Sequence, residues 1–353
     1  MSSRTELILR NYILLLLGGA SFTGCQKDTY CIEIQKEESC PSAKEINDTH
    51  LPSGPECGGG SHLKAISEAN RSDGSLFYWH DTGESSVDTC CYETKARSTV
   101  IGQGCVVGRP LMFEGEAQLA QLIPGRDWSY NQPSARTRTL TPKERKIVGK
   151  YWLRTARLEH ASVASFHQFS LDLLRFGAPP DLLKRANKAA LDEIEHAQAA
   201  FALAESYLTF PLQPSSWEIK SETCNTWADF AESIAREAAI NETLAVIMAS
   251  VQLRNTTDPA VRHLLIRIIN EEAEHAELAW DTLRWCLRQG GPEVRERLKS
   301  VFSEPYTPSA SEFPLEPICG HGLPSEAQML ASLSQGYELV VRAAAKHILF
   351  RAA

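Results

Sequence analysis

At 353 residues the chain is long enough for two domains. Its balance is acidic, 36 Lys and Arg against 44 Asp and Glu for a formal net charge of −8, and no basic stripe runs along it. That argues against a nucleic-acid partner.

The first predicted element is an export address. Arg4 and Arg10 precede a short apolar run at residues 12–20, which is too short to span a bilayer and fits a signal-peptide core. The run leads into Ser21-Phe-Thr-Gly-Cys25, which resembles a bacterial lipobox, with Gly24 before the cysteine and Phe22 where Leu is usual. On that reading residues 1–24 are removed and Cys25 is lipidated. The protein is then anchored to a membrane surface of the cell envelope, on its periplasmic or outer face, rather than spanning it. The alternative is an ordinary secretory signal with Cys25 as a structural residue. Both readings put the mature chain outside the cytoplasm.

Residues 25–110 are expected to form a small cysteine-rich module, rich in Gly, Ser and Pro, with β-like stretches at 76–79 and 99–107. Cys31, Cys40, Cys57, Cys90, Cys91 and Cys105 crowd into it. In an exported chain that density reads as a disulfide framework, with about fifteen possible connectivities. No Cys-x-x-Cys appears, so the paired loops of a rubredoxin-like iron site are missing. Residues 111–140 read as a connector with a short helix near 114–122.

From residue 141 the pattern is helical. Thr141, Pro142 and Glu144 form a capping box for a first helix over 142–176, stopped by Gly177. A second helix is expected over 180–208. Residues 209–225, with Pro211 and Pro214, could cover about 50 Å when extended, enough to travel the length of a bundle. Thr226 and Asp229 cap a third helix reaching Arg254, and Asp258-Pro259 opens a fourth that ends before Gly290-Gly291. The extension from 291 to 353 contains a short helix over 292–302 and a long one over 325–349, with Ser325 as cap. Cys224 precedes the third helix and Cys286 lies near the end of the antiparallel fourth, so a Cys224–Cys286 bridge is expected; Cys319 is then unpaired or displaces one of them.

Within the four long helices a motif is duplicated. Glu159 is followed by Glu193-Ile-Glu-His196, and Glu242 by Glu272-Ala-Glu-His275, at separations of 34 and 30 residues. Residues three apart share a helix face, so Glu193 with His196, and Glu272 with His275, can point together into a core. Measured from the turns near 177–180 and 255–258 at about 1.5 Å per residue, all six side chains lie roughly 20–28 Å deep and can share one layer. One Glu-x-x-His alone is more often a solvated helix face. Here there are two, both continuing as Glu-His-Ala, and four carboxylates cannot be buried together without a cation except at prohibitive cost. Mixed carboxylate and imidazole ligands suit iron or manganese. Glu159 and Glu242 would bridge or flank two metals. Glu237 is an alternative to Glu242, and His160, His167, Glu195, Glu271 and Glu274 read as packing or solvated residues.

The segments Arg157-Leu-Glu-His-Ala-Ser-Val-Ala-Ser-Phe166, Leu191-Asp-Glu-Ile-Glu-His-Ala197, Asn241-Glu-Thr-Leu-Ala245 and Glu271-Glu-Ala-Glu-His-Ala-Glu-Leu-Ala-Trp280 resemble the ferritin-like superfamily of di-iron carboxylate proteins. Its members include rubrerythrins, ferroxidases, manganese catalases and di-iron oxygenases. The resemblance covers roughly 142–290. It implies a mainly α ferritin-like four-helix bundle with a long second-to-third crossover and an added C-terminal helix. It also implies metal ligands at Glu159, Glu193, His196, Glu242, Glu272 and His275, two Fe ions (alternatively Mn) as cofactor, and O2 or peroxide as partner. The acidic charge counts against the tRNA-hydroxylating members. The motif leaves the reaction open among iron oxidation, peroxide reduction and hydroxylation. An exported enzyme would need an electron donor from outside the cytoplasm. The competing class is a non-catalytic metal-binding or envelope interaction lipoprotein; a vestigial site is a third.

Overall fold

The computed structural model describes residues 29–35, 66–68, 87–94, 108–129, 133–221, 223–309 and 313–351. Strands β1 (Thr29–Gln35), β2 (Ile66–Glu68) and β3 (Val87–Thr94) form an antiparallel sheet with β3 in the middle, and its register sets Cys31 opposite Cys91. The expected β stretches at 76–79 and 99–107, the signal sequence, Cys25, Cys40, Cys57 and Cys105 lie outside the described residues.

The short helix expected near 114–122 is not there. Strands β4 (Met112–Phe113) and β5 (Glu116–Ala117) make a hairpin instead, and β6 (Leu122–Pro124) pairs with β7 (Leu212–Pro214). Its cause is the Glu114-Gly115 pair, both left-handed at φ 50° and 79°. Such a two-residue turn matches the twist of paired strands and excludes a helix.

From Pro142 onward the chain is mostly helical: α1 (Pro142–Arg175), α2 (Pro180–Leu208), α3 (Trp227–Ser233), α4 (Asn241–Arg254), α5 (Pro259–Gln289), α6 (Gly291–Ser303), α7 (Glu326–Gly336) and α8 (Arg342–Arg351). Between α3 and α4 lies a π-helical stretch, Ile234–Ile240, and between α7 and α8 another, Tyr337–Val341. The caps act as the sequence suggests. Thr141 Oγ1 accepts from the Glu144 amide (3.2 Å) while the Glu144 carboxylate accepts from the Thr141 amide (2.8 Å). Asp258 accepts from the Ala260 and Val261 amides, and Ser325 from that of Gln328. Each satisfies donors that the first helical turn leaves open.

Aromatic contacts show which helix ends meet. Phe176, just past α1, stacks on Phe230 of α3 (4.7 Å), and Trp227 meets Trp285 near the end of α5 (5.0 Å). At the other end the Tyr207 hydroxyl of α2 hydrogen-bonds His321 (2.8 Å), and the Thr257 and Asp258 amides, at the entry to α5, donate to Gly320. Thus α2 finishes where α5 begins, and the segment between α2 and α3 returns along the length of the bundle, pinned near its start by the β6–β7 pair. Trp152, Phe166, Phe169, Phe201, Phe230 and Trp280 are the largest wholly buried side chains of the core. Among the described residues no helix is long and apolar enough to cross a membrane.

Cys224 and Cys286 are both free, while Cys319 is disulfide-bonded, so the expected Cys224–Cys286 bridge is corrected. The two helix ends are neighbours, but a bridge needs Cβ atoms about 3.5–4.5 Å apart and facing each other. Here Trp227 and Trp285, close to the two cysteines in sequence, pack on each other, and Arg175 Nη1 holds the Cys224 carbonyl at 2.9 Å.

Burial pushes the Cys286 thiol up to about 12; burial, with the carboxylates of Asp172, Glu237 and Asp229, does the same to Cys224. At pH 8 only about one thiol in ten thousand is then ionised. We expect neither to be alkylated quickly in the folded chain, and both to be alkylated in denaturant without reductant, as read by peptide mass. Recovery of a linked Cys224–Cys286 peptide would overturn this.

Trp280 anchors the fourth long helix: it is wholly buried, stacks on Phe302 (5.6 Å) and donates from Nε1 to Thr243 Oγ1 (3.2 Å). Trp280→Ala is expected to cost about 3–5 kcal/mol in denaturant unfolding. Leu171→Ala, at a position 61% exposed, should stay within about 0.5 kcal/mol.

Candidate metal centre

Four helical elements bring the six sequence-predicted residues to one layer of the bundle. Glu193 and His196 come from α2, Glu272 and His275 from α5, Glu242 from the first turn of α4 and Glu159 from α1. All but Glu159 are at most 3% exposed. Their ligand atoms fall into two groups, each within 4.8 Å: Glu159, Glu193, His196 and Glu272 in one, and Glu242, Glu272 and His275 in the other. A group of this kind can hold a metal ion.

Glu272 belongs to both groups, with Oε1 3.5 Å from His196 Nδ1 and Oε2 3.6 Å from His275 Nδ1. Glu193 also spans them, 3.8 Å from His196 Nδ1 and 3.2 Å from His275 Nδ1. The two motif glutamates therefore take the central position, and Glu159 and Glu242 flank it. Glu237 is in neither group. It lies within the π-helical stretch that precedes Glu242, and its charge acts on Arg109.

Five buried atoms here have no hydrogen-bond partner: Glu193 Oε2, His196 Nδ1, Glu242 Oε1, Glu272 Oε2 and His275 Nδ1. Buried polar atoms are nearly always satisfied, and leaving them open is costly. Their convergence between two imidazoles fits a cation bound by carboxylate oxygen and imidazole nitrogen. Electrostatics point the same way. Burial and the neighbouring carboxylates of Glu193 and Glu272 raise Glu159 well above the usual carboxylate range, and burial with Glu272 does the same to Glu242. Burial opposes charge on both imidazoles, but the carboxylates around them outweigh it and hold both pKa values well up. Protons thus balance the metal-free cluster, and a bound metal would displace them.

The far nitrogens of the imidazoles are already engaged. His196 Nε2 lies 2.6 Å from Glu271 Oε2, and His275 Nε2 lies 3.3 Å from Asp192 Oδ2. Arg267 holds Glu271 (3.2 Å) and pairs with Glu195; Lys188 holds Asp192 (3.3 Å) and Glu274 (2.6 Å). Each acid reaches the histidine of the other repeat. The duplication is therefore longer than the two Glu-x-x-His motifs. Lys188-x-x-x-Asp192-Glu193-x-Glu195-His196 matches Arg267-x-x-x-Glu271-Glu272-x-Glu274-His275. Glu271, expected to be solvated, is corrected to a partner of His196, and Asp192 has no place in the four-residue motif. Aligning the repeats over nine residues is the signal that finds both.

His160 packs edge-on against Trp128 (4.8 Å), and His167 is exposed with Nδ1 on the Val163 carbonyl (2.7 Å), so neither faces the cluster. Arg109 belongs to no local motif, and sequence reasoning misses it. It is 5% exposed, lies over Phe166 (5.0 Å) and Phe169 (4.3 Å) and donates to Ser165 Oγ (3.2 Å). Burial lowers its pKa, while Glu237, Glu242, Asp172 and Glu193 counter that; it is the cation that partly balances the flanking carboxylates.

No protein-family model, curated protein or solved structure matches the chain.

Asp192→Asn and Glu271→Gln keep size and remove the charge that orients each imidazole. Each is expected to weaken metal binding about 10–100-fold with little change in unfolding midpoint, read by competition titration with a chromophoric chelator. Unchanged affinity in both would show that the carboxylates do not position the histidines.

Proposed function

We propose that the chain is a ferritin-like di-iron carboxylate protein, exported and held at a membrane surface, that carries out O2- or peroxide-dependent redox chemistry. Iron oxidation, peroxide reduction and hydroxylation are its candidate reactions, and a di-manganese centre on the same ligands is a sub-case. The observation that carries this reading is the convergence of five unpartnered buried ligand atoms between two imidazoles whose other nitrogens are engaged by carboxylates. When bound, a pair of iron ions would supply the electrons and the oxidant-binding position that no side chain here can.

The remaining chemistry belongs to the chain. Asp192 and Glu271 accept the Nε2–H protons, which fixes each imidazole with Nδ1 inward and raises its basicity as a ligand. Glu193 and Glu272 are placed to join two ions, and Glu159 and Glu242 to close their outer sides. Phe166 against His275 (5.0 Å), with Phe169 buried on the same helix, gives the His275 side an apolar wall. The lipobox-like Cys25 and the apolar run before it support the export and anchoring parts of the proposal, and the net charge of −8 speaks against nucleic acid. Near-complete burial of five of the six ligands favours a second reading, a non-catalytic metal-binding lipoprotein whose ions stabilise the bundle.

The test is metal content of the full chain beside a Glu242→Ala/His275→Ala variant, followed by exposure of the ferrous form to O2 and to peroxide. We expect about two irons or manganese ions per chain, lost in the variant, with a new absorption band and consumption of oxidant. Bound metal without consumption would favour the second reading. No metal in either protein, at equal stability, would overturn both.

A further inference from the structure

Beside the acidic cluster the bundle has a partly open cavity of about 50 Å3, with Glu159, Glu193 and Glu272 at one end. Its other walls include Trp152 and Leu158 of α1, Met248 and Gln252 of α4, and Leu265 and Ile268 of α5. Trp152 and Leu265 each precede a cluster glutamate by seven residues, about two helical turns or roughly 10 Å along the axis. A metal held about 2 Å from the carboxylate oxygens would fill only the near end of this space.

Among the lining residues one buried N–H donor has no partner. Gln252 Nε2 donates to the Gly322 carbonyl (2.9 Å), and the Ser162 hydroxyl donates to Leu158 (3.1 Å). Trp152 is 1% exposed and its Nε1–H has no partner. Buried indole N–H groups ordinarily find an acceptor. An acceptor oxygen on a guest in this space would complete the Trp152 hydrogen bond.

We propose that this cavity is a binding site for a small neutral oxygen compound of about three or four non-hydrogen atoms, and that Trp152 Nε1–H donates its hydrogen bond to that guest. Size follows from volume, since each water-sized group needs about 10–15 Å3 of such space. The three carboxylates at the near end disfavour an anion, and the charge of Arg109 is already met by Glu237 and Glu242. Residues Gly108, Arg109 and Pro110 of the lead-in segment, pinned by the Leu111 amide on the Ala161 carbonyl (3.2 Å), line a further wall. A carbonyl compound or a short alkyl hydroperoxide fits these limits; a ring-sized substrate does not. That the guest meets metals at the near end rests on the proposed function, but its binding at Trp152 does not.

The experiment uses the full chain labelled with 15N at the indole nitrogens of its seven tryptophans. Trp152→Phe, which retains a ring, identifies the Trp152 signal by its absence. Acetone is titrated into metal-free and zinc-loaded protein, with cyclohexanone as the oversized control and zinc content measured separately. We expect the Trp152 signal alone to move and saturate with acetone and to ignore cyclohexanone. Acetone affinity, read by saturation transfer, should fall about 3- to 10-fold in Trp152→Phe. A Trp152 signal that does not saturate, or that moves equally with cyclohexanone, would overturn the site. Saturation in a protein that takes up no zinc would sustain the pocket while the metal reading fails; zinc uptake with an unresponsive Trp152 would do the reverse.

Discussion

Four carboxylates in one buried layer are the constraint around which the bundle is organised. Glu193, Glu242 and Glu272 are almost wholly buried and Glu159 keeps 17% of its side chain exposed. Left bare, such a layer would repel itself and lose its hydration. The fold answers with the cations it can place nearby: two imidazoles among the carboxylates, and Arg109 brought in from the lead-in segment. Small residues let the helices come close enough for this. Ala197 and Ala276, each following a cluster histidine, are fully buried, as are Ala189, Ala200 and Ala279 along the same helices.

Orientation is a separate problem from charge, and the duplication solves it by exchange. Each repeat supplies the acid that holds the other repeat's histidine, and each repeat's cation bridges to the other repeat's outer glutamate. Helices α2 and α5 are thereby tied twice at the layer of the cluster. The outer pairs, Lys188–Glu274 and Arg267–Glu195, are solvated and worth little individually. Their value lies in fixing Asp192 and Glu271, where a small tilt would turn an Nδ1 away from its ligand position.

What was legible in the sequence was what local chemistry specifies. Helix starts at Thr141-Pro142, Thr226, Asp258-Pro259 and Ser325 are declared by cap residues within four positions, and that at Pro180 by a proline in its first turn; the structure begins helices there. The π-helical stretches at Ile234–Ile240 and Tyr337–Val341 are a slip in hydrogen-bond register with no compositional trace. The β6–β7 pair joins segments about ninety residues apart, beyond any local pattern. At the cluster, spacing alone names the six residues that share a layer. It does not say which carboxylates lie centrally, because that depends on side-chain reach across the bundle: Glu193 and Glu272 rather than Glu159 and Glu242. Arg109 was invisible because nothing near it in sequence marks it as buried.

The two halves of the duplication have diverged electrically. Around His196 the ligand group has four members, includes the partly exposed Glu159 and borders the cavity. Around His275 it has three, with Glu242 sealed at 1% exposure in the field of Arg109 and Phe166 against the imidazole. A cation at the His196 side would meet the partly exposed Glu159 and the open space. One at the His275 side would sit in a drier pocket with Arg109 opposing it. Coulombic interactions strengthen as water is excluded, so that opposition weighs most on the side that is already closed. Two ions joined by Glu193 and Glu272 would therefore not be equivalent. On the proposed function the His196 side is the one at which a small guest arrives and the His275 side the one that stays closed.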